Sequence, residues 1–264
     1  MKLGFIGCGN MGSAMLNGAI EGGFVNKDEV IFSEHSPERR TFVEDEYKVK
    51  SGNNIEVAKN AKYIVLAIKP NIYEMVIDEI KNDIKKDTVI ITITPAYTIE
   101  KIQQIFGKKV KVARAMPNTP AMVGCGMSGL SYSDELSDKE RKEVLEFFKS
   151  FGDAVEVKEE LMGAVCAVSG SAPAFIYILM EAMADAAVME GMSRKDAYIF
   201  AAKTVEGSAK MVLETGKHPG ELKDAVCSPG GTTIAGVAEL EENGFRGNII
   251  KAMKKTYEKF VDMN

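Results

Sequence analysis

The chain of 264 residues predicts an α/β protein, with a doubly wound parallel sheet over residues 1–158 and an all-helical domain over residues 159–264. Short apolar runs alternate with segments of helical period through the first part, the pattern of βαβ units. Those runs are near-continuous in apolar residues, as parallel strands covered on both faces must be. Beyond Lys158 the strand-like runs stop and long Ala- and Met-rich helical segments take over.

Leu3–Gly7 is the first apolar run, and Asn10–Glu21 has helical period. Glu29–Ser33 is the next strand, and Ser36-Pro37 opens a helix as N-cap with proline in the first turn. Tyr63–Ile68 and Thr88–Thr94 are the most apolar runs. Between them Ile72, Met75, Val76, Ile80 and Ile84 recur at helical spacing. Lys109–Ala115 and Gly129–Tyr132 follow as strands. Ser137 with Glu140 is a capping box opening a helix to Phe151, and Ala154–Val157 is the last strand. Pro173–Gly191, Ser193–Gly216 and Phe245–Met263 are the long helices of the second part, their uncharged Ala and Met faces suited to burial, including against another subunit.

Composition is that of a soluble globular protein, with 45% apolar and 27% charged residues. A net charge of −5 with no basic run argues against a nucleic-acid partner. The four scattered cysteines include no CxxC pair, and only two histidines exist, so a disulfide framework or metal centre is not expected and a cytoplasmic location is. The N-terminus does not read as a signal peptide. Leu161–Met180 is uncharged and long enough to span a bilayer, but Ser169–Pro173 interrupts it, so it reads as a buried segment and buried helix without a membrane.

Gly7, Gly9 and Gly12 form G-x-G-x-x-G between a strand and a helix, the Rossmann-type dinucleotide site. The first glycine makes the turn, the second admits the pyrophosphate and the third lets helix and strand approach. The loop residues Asn10 and Met11 then lie at the helix N-terminus, whose free N–H groups face phosphates. Glu34 ends the second strand, where an acid accepts from ribose hydroxyls and repels a 2′-phosphate, favouring NADH. His35, Arg39 and Arg40 are the positive charges that would serve NADPH, the two arginines reading better as an exposed helix start. Ala67, Ile68, Lys69 and Pro70, and Met116, Pro117 and Asn118, end further strands and so face the cofactor. In the second part, Ser228-Pro229 followed by Gly230, Gly231, Thr232 and Thr233 reads as an N-cap, proline at N1 and a small first turn. Such a start offers N–H groups and hydroxyls to an anion.

The chain resembles the pyrroline-5-carboxylate reductases over essentially its full length. GFIGCGNMG at 4–12, LAIKP at 66–70, RAMPNTPAMVG at 114–124 and VSGSAPAF at 168–175 carry the resemblance, and HPGELKDAVCSPGGTTIAGVAELEENGFR at 218–246 carries it most specifically. The resemblance implies reduction of 1-pyrroline-5-carboxylate to L-proline by NADPH or NADH, the last step of proline biosynthesis. It implies a homodimer built through the C-terminal helices, assembled into a larger ring such as a decamer. It also implies that Asn54 lies near the adenosine ribose, that Ala67–Pro70 and Met116–Asn118 line the cofactor, and that Ser228, Gly231, Thr232 and Thr233 form the substrate loop, with Thr233 at the imine nitrogen. Many relatives have a Ser-Asn-Arg type sequence after the second strand and the family usually prefers NADPH. Ser33-Glu34-His35 departs from that sequence, which sets Glu34, leaning to NADH, against family usage and leaves the cofactor phosphate open.

Two other readings are set against this one. A β-hydroxyacid dehydrogenase-like oxidoreductase shares the domain order but uses a lysine base on the first long helix, and Leu161–Met180 contains no lysine. A non-catalytic dinucleotide-binding protein has no use for a second polar loop at Ser228–Thr233.

Overall fold

A computed structural model describes residues 2–263. The strands are β1 (Leu3–Ile6), β2 (Val30–Ser33), β3 (Lys50–Ser51), β4 (Tyr63–Leu66), β5 (Val89–Thr92), β6 (Lys111–Met116), β7 (Gly126–Tyr132) and β8 (Gly152–Glu156). They form one eight-stranded sheet in the order β3-β2-β1-β4-β5-β6-β7-β8. From β3 to β6 every pairing is parallel, Leu3 lying between Val30 and Tyr63. Then β7 runs antiparallel to β6, with Met116 opposite Gly129, and β8 runs parallel to β7. The short stretch 117–125 between β6 and β7 explains the reversal, since a parallel crossover needs about a dozen residues or more. The polar pair Lys50-Ser51 has no apolar pattern to announce it.

Alternation along the strands divides the interior into two cores. Leu3, Phe5, Phe32, Val65 and Ile91 point to one face and Ile31, Ile64, Leu66, Ile90 and Val112 to the other. The first face is covered by α1 (Asn10–Glu21), through Met15, Leu16 and Ala19, and by Val43 of α2 (Pro37–Tyr47). The second is covered by α3 (Asn54–Asn60), α4 (Tyr73–Ile80) and α5 (Ile99–Phe106). Returning to the first face, α6 (Asp138–Lys149) buries Val144, Phe147 and Phe148, each large apolar side chain contributing about 1.5–3 kcal/mol. The caps are those expected: Ser36 accepts from the Arg39 N–H, and Ser137 and Glu140 close a reciprocal box. The helix expected over 72–84 is shorter, because the chain turns at Lys81–Asp83, where Asn82 and Asp83 favour turns.

After β8 come α7 (Met162–Val165) and a π-helical turn, Cys166–Ser171. Packing divides the described residues into two units. The first runs to Ser171 and regains the chain at Thr256, and the second is Ala172–Lys255. The expected boundary at 158/159 instead follows the end of the sheet. The return adds Phe260, which packs with Met116 and Met162 in a small third core.

The second unit comprises α8 (Ala172–Met189), α9 (Arg194–Thr215), α10 (Pro219–Ala225), α11 (Thr232–Glu242) and most of α12 (Phe245–Val261). Ser193 caps α9 and Gly216 ends it in the left-handed conformation. The expectation that α8 is buried fails within this chain: it buries only Ala172 and Ala184, and Ile176, Tyr177 and Ile178 are exposed. The stretch Glu159–Met189 is apolar and long enough to cross a membrane by length and composition.

Candidate functional site

The glycine-rich loop joins β1 to α1. Gly7 has φ +88°, and a methyl group there would come within 2.5 Å of the Ala67 carbonyl oxygen. The loop therefore sits against the end of β4, where the strand order turns back on itself beside β1. A methyl group at Gly12 would meet the Gly7 carbonyl oxygen at 2.7 Å, so helix and loop are in close contact. Gly9 is different: it faces open space and begins α1 in an extended conformation with no side-chain cap. The first N–H groups of the helix, on Asn10, Met11 and Gly12, are left for an anion. Asn10 is exposed, while Met11 leans on the core. These features fit a dinucleotide pyrophosphate.

The loop is held from beneath by Glu34, which follows β2, and by Arg39 of α2. The Glu34 carboxylate accepts the Cys8 N–H at 2.8 Å and the Ser36 N–H at 3.1 Å. Arg39 Nε donates to the Cys8 carbonyl at 2.8 Å, and its Nη2 donates to Ser13 Oγ at 2.8 Å. Arg39 is thus half-buried under the loop, which corrects its reading as an exposed helix start. Arg40 is exposed and donates to the Glu34 carbonyl at 2.7 Å, and His35 is exposed. The Cys8 thiol is sealed in; burial, with Glu34 adding, pushes its pKa far up, so it is no nucleophile. Asn54 starts α3 and accepts from Ser33 Oγ at 2.6 Å while donating to Glu79 Oε2 at 2.7 Å. Asn54 is thereby fixed beside the end of β2.

At the end of β4, Ala67 and Ile68 are half-buried, Lys69 is exposed, and Pro70 opens a 3-10 turn. At the end of β6, Met116, Pro117 and Asn118 are buried. The Asn118 amide is committed inside the protein, accepting the Met127 N–H at 2.8 Å and donating to the Ser169 carbonyl at 3.1 Å. Between these strands in the sheet lies the end of β5, followed by Ile93–Tyr97, which the sequence reading gave in part to the strand and not to the site. It is tied in by Arg114, which is buried in β6 and donates to the Pro95 carbonyl at 2.8 Å and to Glu159 at 2.9 Å. All of these groups belong to the first unit.

The second unit holds the loop Cys227–Thr233. The expected N-cap at Ser228 is not formed: α11 begins at Thr232 with Gly231 as N-cap. Instead the Ser228 carbonyl accepts the Gly231 N–H at 3.0 Å, and Gly230 has φ +67°. With proline at the second position and glycine in the left-handed region at the third, this is a type II turn. A local β-turn has outcompeted helix initiation. A methyl group at Gly231 would lie 2.4 Å from Ser228 Oγ, so the hydroxyl is folded over the helix start. No side chain caps α11, and Thr232 and Thr233 are exposed in its first turn. Ser228, Gly230, Gly231, Thr232 and Thr233 are therefore gathered around an open helix N-terminus free of charged side chains. His218 is occupied elsewhere, accepting the Gly220 N–H at 3.0 Å as cap of α10.

Residues 159–263 match the family model described as pyrroline-5-carboxylate reductase dimerisation, and residues 2–96 match the one described as NADP oxidoreductase coenzyme F420-dependent. The chain is 45% identical over 259 residues to the pyrroline-5-carboxylate reductase of Escherichia coli (strain K12), covering 98% of this chain and 96% of that protein. It is 40% identical to the enzyme of the same name from Methanosarcina acetivorans, covering 99% and 97%. The crystal structure of Plasmodium falciparum pyrroline carboxylate reductase with NADP bound superposes with a TM-score of 0.90 at 31% identity, covering 100% of this chain and 98% of that one. Full-length likeness to such proteins, together with a glycine-rich loop and a separate uncharged helix start, places this chain in the pyrroline-5-carboxylate reductase family.

Proposed function

We infer that the chain reduces 1-pyrroline-5-carboxylate to L-proline with a nicotinamide dinucleotide, the last step of proline biosynthesis. The observation that carries this reading is the uncapped, uncharged start of α11 in a chain of this family. A substrate that brings its own carboxylate and iminium is met by N–H and O–H groups rather than by a charged side chain.

Bound in the first unit, the nicotinamide supplies the hydride. Gly7, Gly9, Asn10, Met11 and Gly12 hold the pyrophosphate. Glu34, His35 and Asn54 would stand at the adenosine ribose, and Ala67–Pro70 with Met116–Asn118 would line the remainder. In the second unit, the N–H groups at the start of α11 and Ser228 bind the substrate carboxylate, Gly230 and Gly231 shaping the turn. The Thr233 hydroxyl hydrogen-bonds the ring nitrogen. With the ring so held, its C=N carbon would be the acceptor of that hydride and its nitrogen would become a secondary amine. Orientation of the reactants supplies most of the acceleration, since the loop carries no carboxylate, histidine or lysine.

Glu34 places a fixed carboxylate at the end of β2, where a 2′-phosphate would meet it, so NADH is the preferred cofactor. Residues 159–263 serve homo-oligomerisation, and the assembly is a dimer incorporated in a larger ring such as a decamer. The protein works in the cytoplasm. Steady-state assays of 1-pyrroline-5-carboxylate with each cofactor test the reading: proline is formed, with kcat/KM higher for NADH. Absence of proline refutes the activity, and a large NADPH advantage refutes the role of Glu34.

A further inference from the structure

The motif VSGSAPAF is left without a task by the reading above, and its structure supplies one. The Ser169 carbonyl would bond, in an α-helix, to the N–H four residues on, but that residue is Pro173 and has none. The chain answers with the π-helical turn Cys166–Ser171, a rare form found often at functional sites. Asn118 Nδ2 reaches the Ser169 carbonyl at 3.1 Å. The same amide accepts the Met127 N–H through Oδ1 at 2.8 Å. Only one orientation of the amide satisfies both partners, the oxygen toward the N–H and the nitrogen toward the carbonyl.

Asn118 is 8% exposed and stands as N-cap of the 3-10 turn Thr119–Val123, yet its side chain makes no cap bond. Asparagine is among the best capping residues, so the position forgoes a local bond for one bridging to residues 9 and 51 positions away. Gly170 of the π turn lies over Met116, a methyl group there standing 3.9 Å from Met116 Cγ. The bridge therefore joins three parts of the first unit: the end of β6, the start of β7 and the π turn.

We propose that Asn118 is a positioning residue for the reduction, which by bridging the Met127 N–H and the Ser169 carbonyl holds the π turn Cys166–Ser171 against Met116 and so sets the cofactor-lining segment Met116–Asn118 in place. This rests on the reading of that segment as part of the cofactor surface. Asn118 acts through Ser169 and Met127 and does not itself grip the cofactor.

The test uses the full-length protein with Asn118→Ala and Asn118→Asp, measuring kcat, cofactor dissociation by fluorescence titration, thermal melting, and the pH profile of kcat. In Asn118→Ala, kcat falls about 10- to 100-fold, as displacement of a positioned group by an ångström does, and this loss exceeds the accompanying loss of cofactor affinity. In Asn118→Asp, the protonated side chain accepts from Met127 and donates to Ser169 as the amide does, whereas the ionised form turns a carboxylate on a carbonyl. The activity of that variant relative to wild type at the same pH thus recovers as pH falls. β7, the 3-10 turn and the π turn carry no carboxylate, amine or guanidinium. Their titratable groups are the Tyr132 phenol and the Cys166 thiol, with the Cys125 thiol adjoining, and the paired strand β6 adds Lys111 and Arg114. Loss of cofactor affinity of tenfold or more with kcat retained in Asn118→Ala overturns the proposal, because Asn118 would then be a direct cofactor ligand. If the alanine variant does not fold, Asn118→Asp decides: an activity ratio to wild type that does not change with pH overturns the proposal. Turnover of 1-pyrroline-5-carboxylate by wild type, measured alongside, separates failure of this proposal from failure of the assigned reaction.

Discussion

Thr233 is the residue on which the proposed chemistry leans most. It lies in the uncapped first turn of α11, exposed, with no charged side chain in the loop Cys227–Thr233. A hydrogen bond to a charged group is worth about 1.5–3 kcal/mol, so Thr233→Ala lowers kcat/KM for 1-pyrroline-5-carboxylate by roughly 10- to 150-fold. Thr233→Ser, which keeps the hydroxyl, stays within about fivefold of wild type. Initial-rate kinetics of both variants check this, and an alanine variant with unchanged kcat and KM removes Thr233 from the mechanism. In the first unit, by contrast, charged residues do support work. Glu34 and Arg39 hold the Cys8 peptide by its N–H and its carbonyl, so the loop geometry depends on side chains that need not touch the phosphates.

At the level of elements, α6 shows how one helix is both started and locked to the sheet by a single carboxylate. Glu140 closes the capping box with Ser137 and meets Lys111 of β6 at 2.5 Å. Burial alone would raise its pKa, but the bonds from Lys111 and Ser137 override that and leave it below the usual carboxylate value. A depressed folded pKa adds stability that is complete above the unfolded value of about 4.5 and is lost as pH falls through the folded value. Glu143 behaves alike, burial being outweighed by the Tyr63 hydroxyl and Lys62. Glu140→Gln accordingly lowers the melting temperature at neutral pH by about 3–10 °C, and the gap from wild type closes as pH drops below about 4. Melting curves of both proteins across that range are the check; a gap independent of pH contradicts the assignment.

The whole molecule is unevenly finished: the first unit buries two extensive cores, whereas the second leaves large apolar side chains in solvent. Exposed apolar surface on that scale marks an interface, and the dimerisation model spans the same helices. Ile178 of α8, 64% exposed, is the point to probe. Ile178→Glu shifts the protein to smaller species in sedimentation velocity, and the effect is greatest at low protein concentration. An unaltered oligomer would remove this part of α8 from the interface.

Local chemistry in the sequence was enough for the apolar strand runs, the glycine-rich loop beginning at Gly7, the Ser36-Pro37 helix start and the Ser137–Glu140 box. Each depends on residues within a few positions of one another, where periodicity, φ preference and capping act directly. The short β3 has no local signal, whereas α3 and α5 passed unnoticed although Asn53 and Glu56 form a capping box and Thr98 and Gly107 cap α5. Tertiary structure alone decided the reversal of β7 and β8, the burial of Arg39 beneath the loop, the turning of the Asn118 amide away from its own helix and the exposure of α8. At Ser228 the competition was local yet close: proline and a left-handed Gly230 serve a type II turn better than a helix start. The remaining differences arise from partners tens of residues away, or outside the chain, because hydrogen-bond satisfaction and burial belong to the packed surface rather than to the neighbouring sequence.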